Sequence, residues 1–234
     1  DLNELTRHKS ATPTMGGVLL VGAIFAATLL LADLSNFYIR MALLALVWLG
    51  AVGGVDDWLK LRYSAGQGSR DGLRSWEKIL FQIGLAVLLA VFMYRYGGGF
   101  QPGQVSPAHS FYLPCGIRLL GISLAGYVVV TVLVMVGTSN AVNLTDGMDG
   151  LATGCVLLVA MVLLVFSWVV GVGSWAALFH MPLVGGAAEM TVLLAAIAGA
   201  CLAFLWYNAP PAQVFMGDTG SLPLGGLLGF AAVV

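Results

Sequence analysis

Two carboxylates three residues apart, Asp146 and Asp149, stand in the stretch NAVNLTDGMDGLA (residues 140–152) between the apolar runs 128–136 and 156–170. A charge at membrane depth costs about 2.5–3.5 kcal/mol on insertion scales, so the pair needs a reason. On a helix or helical turn, positions i and i+3 share a face. One account is a polar hairpin between membrane helices, with glycines making the turns. The other is a chemical site at the membrane surface.

Two further clusters bear on the choice. In DDWLK, Lys60 follows Asp56 by four residues and Asp57 is adjacent. This could be a helix end with an i,i+4 ion pair. Adjacent carboxylates repel, however, unless a divalent cation sits between them and a phosphate. Mg²⁺ usually takes one or two carboxylates, waters and substrate phosphate oxygens. A carboxylate there could also take a proton from an acceptor. In GDTGS, Asp218 precedes an apolar run, with Thr219 and Ser221 as candidate N-cap residues. Asp218 could serve only as a cap. Helix N-termini also favour phosphates, and an acid there can hold a metal against them. Lys9, Lys60 and Lys78 are candidate phosphate partners, although each also suits the plainer role of a membrane anchor. Phe215 could pack in the protein or stack on a base.

The elements that position these residues are membrane helices. Of the 234 residues, 59% are hydrophobic and 9% charged, with mean hydropathy +0.95. Soluble domains carry about 25% charged residues, so this is an all-α polytopic membrane protein. A span needs about 20 largely apolar residues. Seven are expected, at 17–32, 37–55, 79–96, 119–137, 151–171, 190–207 and 222–234, the last cut short. No repeat or linker divides them, so residues 1–234 read as a single membrane domain, truncated at both ends. Cys155 and Cys201 lie in apolar runs and Cys115 in a loop, so no disulfide framework is implied.

Alternating the helix ends puts 1–16, 56–78, 138–150 and 208–221 on one side. That side holds seven of the ten basic residues, which makes it cytoplasmic. It also holds nine of the eleven acids and every unusual polar cluster. One surface is furnished for anionic substrates and a cation. The outer segment 97–117 reads as a loop with turn residues and no metal spacing. The segment 174–187, with Trp175, Phe179 and His180, reads as a short interfacial piece. His109 and His180 read as ordinary surface histidines. Arg40 and Glu189 read as residues near the outer surface that snorkel.

TPTMGG, DDWLK, NAVNLTDGMDGLA and FMGDTGS, in this order and on one face, resemble the bacterial phospho-N-acetylmuramoyl-pentapeptide transferases. These are a branch of the polyprenyl-phosphate N-acetylhexosamine-1-phosphate transferase family. The resemblance covers essentially the whole chain and includes HMPLVGGAAE. It implies transfer of phospho-N-acetylmuramoyl-pentapeptide from its UDP carrier to undecaprenyl phosphate, with Mg²⁺. Lipid I and UMP result, in peptidoglycan synthesis at the bacterial cytoplasmic (inner) membrane.

By motif matching, Asp218 resembles the metal ligand. Asp56 resembles the residue that deprotonates or orients the lipid phosphate, with Asp57 beside it. Asn143 and Asp146 resemble part of the catalytic surface. Lys9, Thr14, Leu144, Asp149, Asn208 and Phe215 resemble positions around the uridine part, and Lys60 and Lys78 basic positions near the phosphates. The expected partners are UDP-MurNAc-pentapeptide, undecaprenyl phosphate and the bilayer, with no nucleic acid, and a homodimer is left open. The family also has a His-rich cytoplasmic loop beyond these spans, in a protein of roughly ten helices. His8, His109 and His180 do not replace that loop, and the 234-residue piece alone is expected to be inactive.

Two other readings stand beside this one. A sibling enzyme would use UDP-N-acetylglucosamine; the whole of TPTMGG and NAVNLTDGMDGL favours the muramoyl branch. A transporter or non-catalytic scaffold would line an ion path with its acids, but such acids belong near the bilayer midplane in broken helices. Covalent catalysis on an aspartate and direct attack by the lipid phosphate are both open. Direct attack is favoured, because a phosphate monoester dianion is already a nucleophile.

Overall fold

The computed structural model describes residues 12–69, 71–97, 110–113 and 117–234; for 111–113 and 117–120 only the backbone is described. Each expected span overlaps a helix, although the fourth, expected at 119–137, starts only at Leu124 and runs on to Thr145, so NAVNLT is helical. These are α1 (Gly17–Leu31), α2 (Phe37–Ser64), α3 (Ser75–Tyr96), α4 (Leu124–Thr145), α5 (Leu151–Gly171), α7 (Met190–Asn208) and α8 (Asp218–Val233). The short helix α6 (Gly173–Leu178) lies between α5 and α7, where the interfacial segment is expected. Trp175 and Phe179 stack there with centroids 6.2 Å apart. Five of the helical segments are long and apolar enough to cross a membrane, whereas α1 and α8 have 15 and 16 residues.

The structure departs from the sequence reading in three places. First, α2 does not stop at 55 but runs on to Ser64, 28 residues in all, or about 42 Å of helix. DDWLK is therefore helical, with Asp56 and Asp57 buried in the bundle and Trp58 half exposed. Second, residues within 97–121 are not all loop. Ser110–Leu113 and Ile117–Gly121 form an antiparallel pair, β1 and β2. SFYL and IRLLG carry the aromatic and branched residues that suit a strand. Third, the last span, expected at 222–234 and cut short, begins at Asp218 as α8 and is the hub of the bundle. Every residue from Thr219 to Ala231 is buried. A helix apolar on all sides belongs in the centre, and α1, α2, α4 and α5 pack around it.

Close approach to α8 depends on missing side chains. A Cβ on Gly53 of α2 would overlap the Asp218 carbonyl group. This contact brings the acidic turn of α2 against the start of α8. The opposite end is closed by Asn36, whose Oδ1 accepts from the N–H groups of Tyr38 and Ile39 and caps α2.

Candidate active site

Four helices converge at the end of the bundle that begins α8. Asp56, Asp57 and Lys60 lie toward the end of α2. Lys78 is in the first turn of α3, Asn143 in the last turn of α4, and Asp218 opens α8. Among the described basic residues, Lys60, Arg62, Arg74 and Lys78 lie at this end, and Arg40 and Arg95 at the other.

Asp56 is fully buried. Its Oδ1 accepts from the Leu73 N–H at 2.7 Å, and its Oδ2 accepts from Lys60 at 2.6 Å and Lys78 at 2.9 Å. Lys78 also donates to Asp218 Oδ2 at 2.6 Å, and Lys60 stands 3.4 Å from that oxygen. Asn143 Nδ2 donates to Asp218 Oδ1 at 2.8 Å and to Ser221 Oγ at 2.9 Å. Two ammonium groups thus bridge two carboxylates, and the asparagine fixes the second carboxylate from its far side.

Asp57 faces the N-terminus of α8. It accepts from the N–H groups of Asp218 (3.2 Å) and Thr219 (2.8 Å) and from the Thr219 hydroxyl (2.6 Å). The expected caps, Thr219 and Ser221, do not fill that role: no side chain at the N-cap bonds the helix start, and a carboxylate from α2 does so instead. An anion at this position also meets the positive end of the helix dipole. Gly217, with φ of 72°, makes the turn, and a Cβ there would press on the Asp57 carboxylate.

Carboxylate oxygens of Asp56, Asp57 and Asp218 lie within 4.8 Å of one another. An all-oxygen set of this kind suits a hard divalent cation. With two lysines against three carboxylates, the cluster keeps a net negative charge, which also fits a cation. Asp218 is the most open of the three, its side chain 13% exposed against 0% for Asp56. Asp57 is already occupied by donors from α8.

Asp146 and Asp149 do not share a face. Both lie in the turn after α4. Asp146 Oδ2 accepts from the Gly217 N–H at 3.1 Å, beside the cluster, while Asp149 Oδ2 accepts from the Ala212 N–H at 3.2 Å. Burial pushes the Asp146 carboxyl up to about 7. The negative charges of Asp218 and Asp57 add to this, and the Gly217 hydrogen bond opposes it.

The remaining expected positions are scattered. Asn208 is buried; its Oδ1 accepts from the Gly150 N–H and the Thr153 hydroxyl, and its Nδ2 donates to the Val214 carbonyl. It ties the turn before α5 to the loop before α8. Phe215 is half-buried and pairs through its backbone with Pro13 and Gly16. Thr14 is exposed beside that pairing, and Leu144 is 82% exposed. Lys9 lies outside the described residues. His180 is exposed, with Nδ1 3.1 Å from the Ala177 carbonyl, away from the cluster.

The sequence reading missed a polar column beneath the cluster. Gln82 donates to Ser139 Oγ at 3.2 Å, and Ser139 donates to the Leu222 carbonyl at 2.9 Å. Asn140 donates to Gln82 Oε1 at 2.7 Å. These bonds join α3, α4 and α8, the helices that carry Lys78, Asn143 and Asp218. A signal was there: a glutamine inside an apolar span, four residues after Lys78, is costly unless paired.

Comparison with known proteins places the chain in a family. The family described as "Glycosyl transferase family 4" matches residues 39–234. A protein of Gemmatimonas aurantiaca named phospho-N-acetylmuramoyl-pentapeptide-transferase is 38% identical over 226 residues, which are 97% of this chain and 60% of that protein. The chain therefore spans somewhat under two thirds of the length of this curated relative.

Proposed function

Because the chain belongs to glycosyl transferase family 4, we propose that the full-length protein moves phospho-N-acetylmuramoyl-pentapeptide from its UDP carrier to undecaprenyl phosphate. UMP leaves and lipid I forms. The site works at the cytoplasmic face of the bacterial inner membrane, as the bias of basic residues toward that end supports. The observation that carries the reading is the Asp56–Lys60–Lys78–Asp218 cluster, built from three helices at one end of the bundle. Joining a diphosphate donor to a phosphate acceptor crowds several negative charges together. Catalysis of such a transfer is mostly positioning and charge neutralisation. The name of the Gemmatimonas relative supports the muramoyl donor.

The residues divide the work. Asp218 is the carboxylate best exposed to hold Mg²⁺, with Asp56 and Asp57 beside it. Mg²⁺ bound there would neutralise charge on the donor diphosphate. Lys60 and Lys78 are held in place by Asp56 and Asp218 and supply fixed positive charge to the phosphates. Asp56 orients these lysines, its oxygens accepting from two ammonium groups and a backbone N–H. No base is required, because a phosphate monoester dianion attacks directly. Its oxygen bonds to the phosphorus attached to the sugar as the bond to the UMP oxygen breaks. Asn143 fixes Asp218, and Asp57 fixes the helix that carries it.

The test uses full-length protein in vesicles with Mg²⁺ and undecaprenyl phosphate. UMP release is measured with UDP-MurNAc-pentapeptide and with UDP-N-acetylglucosamine. Release with the first alone is expected. Release with the second alone would move the protein to the sibling activity. Trapping a phosphosugar on Asp56 or Asp57 after denaturation would overturn direct attack.

A further inference from the structure

The polar column beneath the lysine–aspartate cluster repeats its layout one turn deeper. Gln82 follows Lys78 by four residues on α3, Ser139 precedes Asn143 by four on α4, and Leu222 follows Asp218 by four on α8. On a helix that spacing is about 6 Å along the axis and nearly the same face. Gln82 and Ser139 are buried. Gln82 uses both ends of its amide on α4: Nε2 donates to Ser139 Oγ at 3.2 Å, and Oε1 accepts from Asn140 Nδ2 at 2.7 Å. Two bonds to adjacent residues fix a planar group more tightly than one, so α3 resists both sliding along α4 and turning about its own axis. Ser139 Oγ then donates to the Leu222 carbonyl at 2.9 Å. Helices α4 and α8 also meet backbone to backbone, since a Cβ on Gly225 would overlap the Thr138 carbonyl group.

We propose that Gln82 is a positioning residue for the transfer, acting through Lys78: its bonds to α4 hold the Lys78 ammonium group in register with Asn143 and Asp218. The inference rests on the proposed function and adds what sets the geometry of its site. Hydrogen bonds between membrane helices can also serve as plain glue, but glue works at any depth. This column lies one turn from three residues of the cluster and ties their three helices together. The hydrogen bond from the Tyr94 hydroxyl to the Ile122 carbonyl, at 3.0 Å, joins α3 to the start of α4 at the opposite end of the bundle and offers a comparison. Removing the Gln82 amide leaves no donor of α4 stranded, because Asn140 keeps its bond to the Val136 carbonyl and Ser139 its bond to Leu222. The loss is therefore one of position more than of folding.

The experiment measures UMP release by the full-length protein in vesicles, at a temperature where each variant is folded. Gln82→Met keeps the length of the side chain and removes both bonds. Its kcat is expected to fall about tenfold while KM for the UDP donor stays within about twofold, because a misplaced ammonium group weakens the transition state more than it weakens substrate binding. Ser139→Ala cuts the tie to α8, leaves Gln82 bonded to Asn140, and is expected to lower kcat about threefold; it decides alone where Gln82→Met does not fold. On a Lys78→Met background the further loss from Gln82→Met is expected to be below about twofold, since the group it positions is gone. Tyr94→Phe is expected to keep the wild-type kcat. Unchanged kcat in both column variants, a rise in KM at unchanged kcat, an equal fall in Tyr94→Phe, or the full loss on the Lys78→Met background would overturn the inference. Failure of wild-type protein to release UMP with any polyprenyl phosphate would instead remove the proposed function, and this inference with it.

Discussion

At one end of the bundle Asp33 accepts from the hydroxyl and N–H of Ser35, two residues along, and remains in water. At the other end Asp57 binds the start of a helix 161 residues further along the chain. The first end is also tied across the fold, by Asp33 N–H to Glu189 and by Asn36 to the Gly186 carbonyl. All of those bonds are exposed, and among the described residues no lysine or arginine pairs with the acids there. At the site end Asp56 is fully buried and shares two ammonium groups with Asp218. The side-chain types are alike, but the surroundings act in opposite directions. The Ser35 hydroxyl and N–H hold Asp33 below the ordinary carboxylate range, whereas burial lifts Asp146 toward neutral pH. Polar groups at the outer end close turns, and at the site end they hold four helices in one geometry. An exposed ion pair contributes little, whereas removing one partner of a buried network leaves a charge without compensation.

The largest expected consequence of that difference is at Lys78. Its side chain is 17% exposed and donates to both Asp56 and Asp218. Lys78→Met keeps the aliphatic stem but leaves two mostly buried carboxylates sharing one ammonium group, that of Lys60. A loss of about 3 kcal/mol is expected, measured by reversible unfolding in mixed detergent. Arg40→Met, at the exposed outer end, is expected to change stability too little to measure. Equal losses in the two variants would erase the contrast between the ends.

Asp146 sharpens the comparison through pH. Its folded-state pKa, about 7, lies above the ordinary value of 3.8, so the fold favours the neutral acid. The stability this contributes is fully present below pH 3.8 and is lost as pH rises through 7. Asp146→Asn stays neutral throughout and can still accept from the Gly217 N–H. In Mg²⁺-free buffer the variant should match wild type near pH 4 and gain with rising pH. Above pH 7 the gain should level off at about 1–2 kcal/mol, after allowing for partial exposure to solvent. A gain that is the same at pH 4 and pH 8 would mean that burial does not hold this carboxyl neutral.

What the sequence disclosed follows the same division. The seven apolar runs were legible because lipid leaves the backbone no alternative to helix. Asp56, Lys60, Asn143 and Asp218 were legible as a group because counting helix ends places them on one face. The end of α2 was not legible. Polar DDWLK looks like the end of the helix until Lys78 and the start of α8, from two other helices, supply partners that bury Asp56 and Asp57 in the bundle. The role of Asp57 as a cap was hidden for a similar reason, since its helix begins 161 residues away. The separation of Asp146 from Asp149 depends on the turn between α4 and α5, which the spacing alone read as a shared face. Gln82 and Ser139 were visible as polar residues in apolar runs, but only the packing of α3 on α4 shows that they meet.

The smallest expected effect tests the outer end in isolation. Asn36 accepts from the N–H groups of Tyr38 and Ile39, and its amide donates to the Gly186 carbonyl. Asn36→Ala removes the α2 cap, but water can reach this end of the helix and replace part of what is lost. The expected loss is about 1 kcal/mol, within the ordinary range for an N-cap. Because α2 also carries Asp56 and Asp57, the variant asks whether a fault at one end of a 28-residue helix reaches the other. The proposed UMP release by the full-length protein should be unchanged below the melting transition, because Gly53 holds the far end of α2 close against α8 independently of the cap. A fall in turnover at a temperature where the variant is still folded would show that the two ends of α2 are mechanically coupled, and that the outer end helps to set the geometry of the lysine–aspartate cluster.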